Sequence, residues 1–226
     1  MNNVLVVENL KKCFPSTENE KKTVPIVDIP HFILPSQAQV GIEGLSGSGK
    51  TTFLNLIAGI LSPDGGKIVF EGTDVAFWPE PQRDLWRAEH IGYVFQTFNL
   101  LQGYTALENV MLGMAFGKGV DQPFAEALLK RMNLSKYLQS KPRQMSIGQQ
   151  QRVAVARALA NKPKLVLADE PTGNLDRGHA HETIELIQEV CRENGAALLL
   201  VSHDQEILGR FKTVVRMSQM NKAVKI

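Results

Sequence analysis

The chain has 226 residues, 43% hydrophobic and 21% charged, with a formal net charge of +2 carried in mixed clusters. That is the balance of a globular protein with one substantial core, and it offers no long basic block to neutralise a run of nucleic-acid phosphates. Cys13 and Cys191 are too few for a disulfide framework or a thiolate metal site, and apolar runs such as 196–201 fall far short of the roughly 18 residues a membrane-spanning helix requires.

The first residues, Met1 to Glu8, have neither the basic start nor the apolar stretch of a secretory signal, so the protein is expected to stay in the cytoplasm. Val4–Val7 reads as a strand, and Pro15 to Lys22 as a polar turn leading into further short β-like stretches, together an antiparallel layer. Val40–Glu43 is a second strand type, followed by a glycine-rich loop and a helix over Thr51–Ala58 that stops at Gly59. After a turn at Ser62–Gly66 come a strand at Lys67–Phe70, a short helix over Arg83–Glu89 and a strand at Ile91–Phe95.

From about Gln96 to Met145 the pattern becomes helical, as in Phe124–Met132, whose apolar residues recur three and four apart. Strand and helix then alternate: a helix over Ile147–Ala160, a strand at Leu165–Ala168, a helix near His181–Glu193 and a strand at Ala197–Val201. Such alternation predicts a mainly parallel sheet covered on both faces. There is no internal repeat, and with only Gln219 to Ile226 as the last residues no regulatory domain is expected. A single domain over 1–226 is expected, its core about 1–95 and 146–226, with a helical part at about 96–145.

Gly44-Leu45-Ser46-Gly47-Ser48-Gly49-Lys50-Thr51 matches G-x-x-x-x-G-K-[ST], in which glycines let backbone N–H groups wrap phosphates at a helix N-terminus. Lys50 is then expected on the β- and γ-phosphates of ATP, the Thr51 hydroxyl on Mg²⁺ and Thr52 on the α-phosphate. Leu165–Ala168 ends in Asp169 and Glu170, at the end of a parallel strand where α/β sheets bind ligands. Asp169 suits a metal held through water, and Glu170 suits a general base for attack by water on a phosphoryl group. Without the glycine loop, the same two acids would be an ordinary strand exit into solvent.

Ser146 and Gln149 fit the S-x-x-Q capping box of a helix start. The whole stretch Met145 to Leu159, however, resembles the signature segment and helix of the ABC ATPases. The resemblance implies a P-loop NTPase core with a mainly parallel sheet, an antiparallel β subdomain and a helical signature subdomain. It implies a homodimer in which Ser146 and Gly148 of one copy meet the γ-phosphate held by the other copy's glycine loop. One residue departs from the family pattern: Ile147 stands where the first of two adjacent glycines is usual.

The remaining elements of that family occur in order. By the same resemblance Gln96 senses Mg²⁺ and couples to a membrane subunit, Asp176 in Pro171–Asp176 links the two sites, and His203 contacts the γ-phosphate. Phe14 lies where the family stacks an aromatic on adenine, and it reads equally as a core phenylalanine. The segments Gly92–Leu101, Thr105–Val110 and Leu167–Asp176 are similar to the lipoprotein-releasing, macrolide-exporting and cell-division branch. That similarity implies partners that are integral membrane permease subunits, a peripheral position on the cytoplasmic face of the inner membrane, and a docking surface near Gln96–Tyr104 with Phe98 and Tyr104 as anchors if exposed.

Other classes fit less well. A DNA-repair or chromosome-organising ATPase needs long coiled-coil arms or zinc inserts, and the segment between the glycine loop and Ser146 is too short for such arms and has no cysteine pair. A ribosome-acting ATPase normally carries two such cassettes in one chain. A small-molecule kinase has no use for the Ser146 stretch.

Overall fold

Strands β1 (Asn3–Pro15) and β2 (Thr23–Pro35) open the computed structural model, which describes residues 2–16, 22–173 and 177–223. They pair antiparallel from Leu5 opposite Leu34 to Phe14 opposite Val24. β1 also pairs antiparallel with β4 (Gly65–Phe70), which carries the short β5 (Thr73–Asp74) at its outer edge. The expected antiparallel layer is therefore present as a four-stranded sheet, β2-β1-β4-β5. Its first strand runs well past Val4–Val7, and its return is one long strand instead of several short stretches. Alternation hides this, because Asn9 adopts a left-handed φ of 49° where the pairing with β4 shifts register, so the buried set runs Val4, Leu5, Val7, Leu10. Of the polar turn expected over Pro15–Lys22, residues 17–21 lie outside the described residues.

The second sheet contains β3 (Gln39–Glu43), β6 (Ile91–Val94), β7 (Leu165–Asp169), β8 (Ala197–Ser202) and β9 (Thr213–Arg216) in the order β6-β7-β8-β3-β9, every pairing parallel. β9 is a strand that the sequence reading omits; it is four residues long and lies at the sheet edge. Successive side chains of β7 and β8 feed opposite cores. Leu165, Leu167, Leu199 and Val201 join a cluster with the antiparallel sheet, while Val166, Ala168, Leu198 and Leu200 join a cluster with the helices.

Helix α1 (Lys50–Ile57) follows the glycine loop, and α2 (Glu80–His90) begins three residues before the expected Arg83. The segment expected to be helical contributes α3 (Ala106–Ala115) and α4 (Gln122–Arg131), with 3-10 turns at Ser135–Tyr137 and Pro142–Gln144. Residues 96–105 are irregular, since α3 starts only where Thr105 and Glu108 form a reciprocal capping box. α5 (Ile147–Leu159), α6 (Arg177–Glu193) and the short α7 (Gln205–Leu208) and α8 (Met217–Met220) complete the order. Among the described residues no helix is long and apolar enough to cross a membrane.

Candidate functional site

β3, β7 and β8 end side by side, Glu43 opposite Ser202 and Asp169 opposite Val201, and the glycine loop leaves from the first of these ends. Gly49 caps α1 at φ 92°, and a Cβ there would stand 2.7 Å from the Ile26 carbonyl oxygen. Conformation and space both demand glycine. Lys50 bends back so that its ammonium donates to the carbonyls of Gly44 at 2.6 Å and Leu45 at 3.0 Å, and it stands 3.7 Å from Glu170 Oε1.

A cleft of about 500 Å³ opens over the loop. Ser46, Gly47, Gly49, Lys50, Thr51 and Thr52 of the loop and α1 line it together with Gln96, Glu170, His203, Phe14 and Ile26. Gly44 and Ser48 face an adjoining cavity that shares His203. Phe14 is thus a cleft residue, 36% exposed, with the Lys12 ammonium 5.6 Å from its ring centre, and not a core phenylalanine.

Glu170 takes a left-handed φ of 44°, a conformation that costs a non-glycine residue about 1–2 kcal/mol. Its N–H donates to Val201 O at 3.1 Å and its carbonyl accepts the Gly173 N–H at 3.1 Å, which hold the turn. The carboxylate accepts from Ser202 Oγ at 3.1 Å through Oε2, and His203 Nδ1 lies 2.9 Å from Oε1. An ionised carboxylate only accepts, so the proton of a neutral His203 sits on Nδ1, leaving Nε2 as an acceptor on a ring that lines the cleft.

Asp169 is buried one residue earlier. Burial, opposed by a hydrogen bond from Thr51 and reinforced by the charge of Glu170, raises its pKa above the ordinary carboxylate value. Among the described residues its Oδ1 has no hydrogen-bond partner, nor has the buried Ser48 Oγ. An unmatched buried carboxylate oxygen on a residue that also bonds the Thr51 hydroxyl suits a hard divalent cation, so Asp169 and Thr51 fit Mg²⁺.

Ser146, Gly148 and Gln149 do not line this cleft. Ser146 Oγ accepts the Gln149 N–H at 3.3 Å and the Gln149 side chain accepts the Ser146 N–H at 2.9 Å, so the capping box is formed. A Cβ on Gly148 would meet only His179 Cδ2, at 3.9 Å, and its φ is not left-handed. Nothing among the described residues requires glycine there. Ile147 beside it is 53% exposed. Asp176 lies outside the described residues.

Two residues escape sequence reasoning. Asn221, 1% exposed, donates through its amide to Ile26 O at 2.8 Å and Ser48 O at 3.2 Å, and accepts Asp28 N–H at 2.7 Å, tying β2 to the glycine loop. Ser202 is the other; only its place next to His203 could have drawn notice.

A second groove of about 440 Å³ runs between α2, β6, α3 and α5, lined by Ile60, Phe95, Phe116, Arg87 and Arg157 among others. Of the two expected anchors, Tyr104 is exposed, whereas Phe98 is half-buried against the helical core.

The family model described as ABC transporter matches residues 27–173. ABC transporter ATP-binding protein YtrE of Bacillus subtilis (strain 168) is 45% identical over 170 residues, 74% of this chain and 73% of that protein. Lipoprotein-releasing system ATP-binding protein LolD of Syntrophus aciditrophicus (strain SB) is 38% identical over 92% of this chain and 93% of its own length. Macrolide export ATP-binding/permease protein MacB of Syntrophobacter fumaroxidans is 45% identical over 78% of this chain, which spans 26% of that protein. Among solved structures, the dimeric ATP-binding cassette MJ0796 in a post-hydrolysis state bound to ADP and Pi superimposes with a TM-score of 0.84 at 32% identity, over 94% of this chain and 93% of that one.

Proposed function

Because the chain belongs to the ABC transporter family and is an ATPase of that family, we propose that two copies close on ATP and hydrolyse it to drive integral membrane permease subunits. The cargo class is lipoprotein, lipid, drug or peptide, moved by export or by mechanical transmission, a proposal supported by relatives named for lipoprotein release and macrolide export. The work is done at the cytoplasmic face of the inner membrane, where the cassette sits peripherally through its permease. The single observation carrying the chemistry is that the glycine loop, Glu170 and His203 converge on one cleft.

In that cleft the backbone N–H groups of residues 46–50 and the Lys50 ammonium hold the phosphates, while Phe14 stacks on adenine. Glu170 orients a water and takes its proton as the water oxygen bonds to the γ-phosphorus. The bond from that phosphorus to the β–γ bridging oxygen breaks, leaving ADP and phosphate. His203, whose ring lines the cleft, contacts the γ-phosphate as a donor from Nε2, which requires both ring nitrogens to be protonated. Thr51, Asp169 and Gln96 would hold Mg²⁺, which when bound neutralises phosphate charge.

Ser146 and Gly148 act on the nucleotide of the opposite copy, with Gln149 keeping the Ser146 turn in shape, and Asp176 links the two sites. Support comes from Gly148, whose glycine the chain's own packing leaves unexplained, and from the dimeric MJ0796 cassette. The groove at Ile60, Phe95 and Phe116, with Tyr104 nearby in sequence, would receive a cytoplasmic helix of the permease. The test is Glu170→Gln, expected to bind ATP, accumulate a dimer by sedimentation and lose turnover. Near-normal hydrolysis would overturn the assignment. Co-purification of the tagged chain from membranes, with partners identified by mass spectrometry, tests the permease.

A further inference from the structure

Ser202 is the last residue of β8 and is 1% exposed. Its hydroxyl oxygen accepts the Asp204 N–H at 3.1 Å and lies 3.1 Å from Glu170 Oε2. A hydroxyl has one proton, and neither an N–H nor an ionised carboxylate can exchange roles with it, so that proton points at Glu170. The Ser202 carbonyl meanwhile accepts the Gly44 N–H at 3.4 Å, at the start of the glycine loop. Ser202 therefore touches the base on one side and the phosphate loop on the other, without lining the cleft itself.

Glu170 needs such a contact. It sits on a left-handed backbone, and its other oxygen faces His203, whose side chain is 65% exposed and whose hold is weakened by solvent. Of the two hydrogen bonds the one from Ser202 is shielded, and the buried Lys50 ammonium, 3.7 Å from Oε1, is too far for a hydrogen bond that would orient the carboxylate. We propose that Ser202 is a positioning residue for hydrolysis: its hydroxyl fixes the Glu170 carboxylate in the orientation from which it takes the proton of the attacking water. The inference rests on Glu170 being the base. The simpler role for Ser202, capping the turn into α7 through Asp204, makes a different prediction, because a cap affects folding and leaves turnover intact.

The experiment is steady-state ATP hydrolysis by the full chain, with melting temperature, for Ser202→Ala, Ser202→Thr and Ser202→Val. Thr and Val have nearly the same shape, and only Thr has the hydroxyl. Ala and Val are expected to lower kcat about ten- to a hundredfold, the range for a misplaced catalytic group, with KM for ATP within about twofold of the parent. Thr is expected to retain turnover. If Ala and Val stay within about twofold of the parent kcat while Glu170→Gln is inactive, the Ser202 inference fails and the base assignment stands. If Glu170→Gln itself turns over, both fail. Equal losses in Thr and Val, or a drop in melting temperature with kcat unchanged, also overturn the positioning role. Should the two β-branched variants not fold, Ala against the parent protein decides.

Discussion

Replacing Arg157 by Leu tests how the signature helix is tied to the loop that carries Gln96. Arg157 lies on α5, and its guanidinium donates at 2.6 Å to Asn99 O and at 2.6 Å to Phe98 O. Both residues have left-handed backbones, φ 58° at Phe98 and 51° at Asn99, so the loop is strained and the arginine is its clamp. The approach depends on Gly113, because a Cβ there would stand 3.0 Å from Arg157 Cγ. Hydrogen bonds from a charged donor contribute about 1.5–3 kcal/mol each. Part of the loss is offset, since burial disfavours the guanidinium charge and holds its pKa below the ordinary value. A net destabilisation of about 3 kcal/mol follows, which at about 2–4 °C per kcal/mol for a chain of this size lowers the melting temperature by about 6–12 °C. Hydrogen exchange should rise selectively over 96–101, and turnover should fall about tenfold as Gln96 loses its seat. Arg157→Lys, which keeps the charge and cannot span both carbonyls in one plane, should fall between. A leucine variant that melts within about 1 °C of the parent, with unchanged exchange in this loop, would refute the clamp.

Asn221→Ala should cost about 2–4 kcal/mol by stranding several buried partners and should raise KM for ATP, because the glycine loop loses its tie to Ile26; calorimetry with a nucleotide titration checks both. Ser146→Arg should leave monomer ATP binding within about twofold and abolish the ATP-dependent dimer in sedimentation, since the exposed turn shaped by this box is the surface proposed to meet a second copy. Asp64 accepts the Cys13 N–H and the Lys12 ammonium, which lower its pKa below the ordinary 3.8. A depressed folded-state pKa gives stability that is present above pH 3.8 and lost as pH falls through the lower folded value. Asp64→Asn should therefore be less stable than the parent at pH 7, by about 1 kcal/mol at so exposed a site. The gap should close on acidification in denaturant titrations, and a gap independent of pH would count against it.

Much of the site was legible because its signals are local. The glycine loop declares a strand-to-helix turn, Asp169 and Glu170 end an apolar run, and Ser146 with Gln149 writes its own cap, all within a few residues of chain where backbone geometry is set by neighbours. The irregular stretch 96–105 was read as part of a helical segment because apolar spacing continues through it, while the start of α3 depends on the Thr105 cap.

A phosphate loop, a pair of acids, a glutamine and a histidine can be read along the chain in a fixed order. That Phe14 turns to the cleft, that β9 extends the sheet beside β3, and that Asn221 bonds to the glycine loop and Ser202 to Glu170 emerge from the tertiary packing alone. Those choices depend on strand register and on which distant carbonyl meets which donor. Hydrogen bonds across a crossover leave no periodicity in the chain, so nothing at Asn221 or Ser202 distinguishes them from surface polar residues until the strands that flank them are aligned.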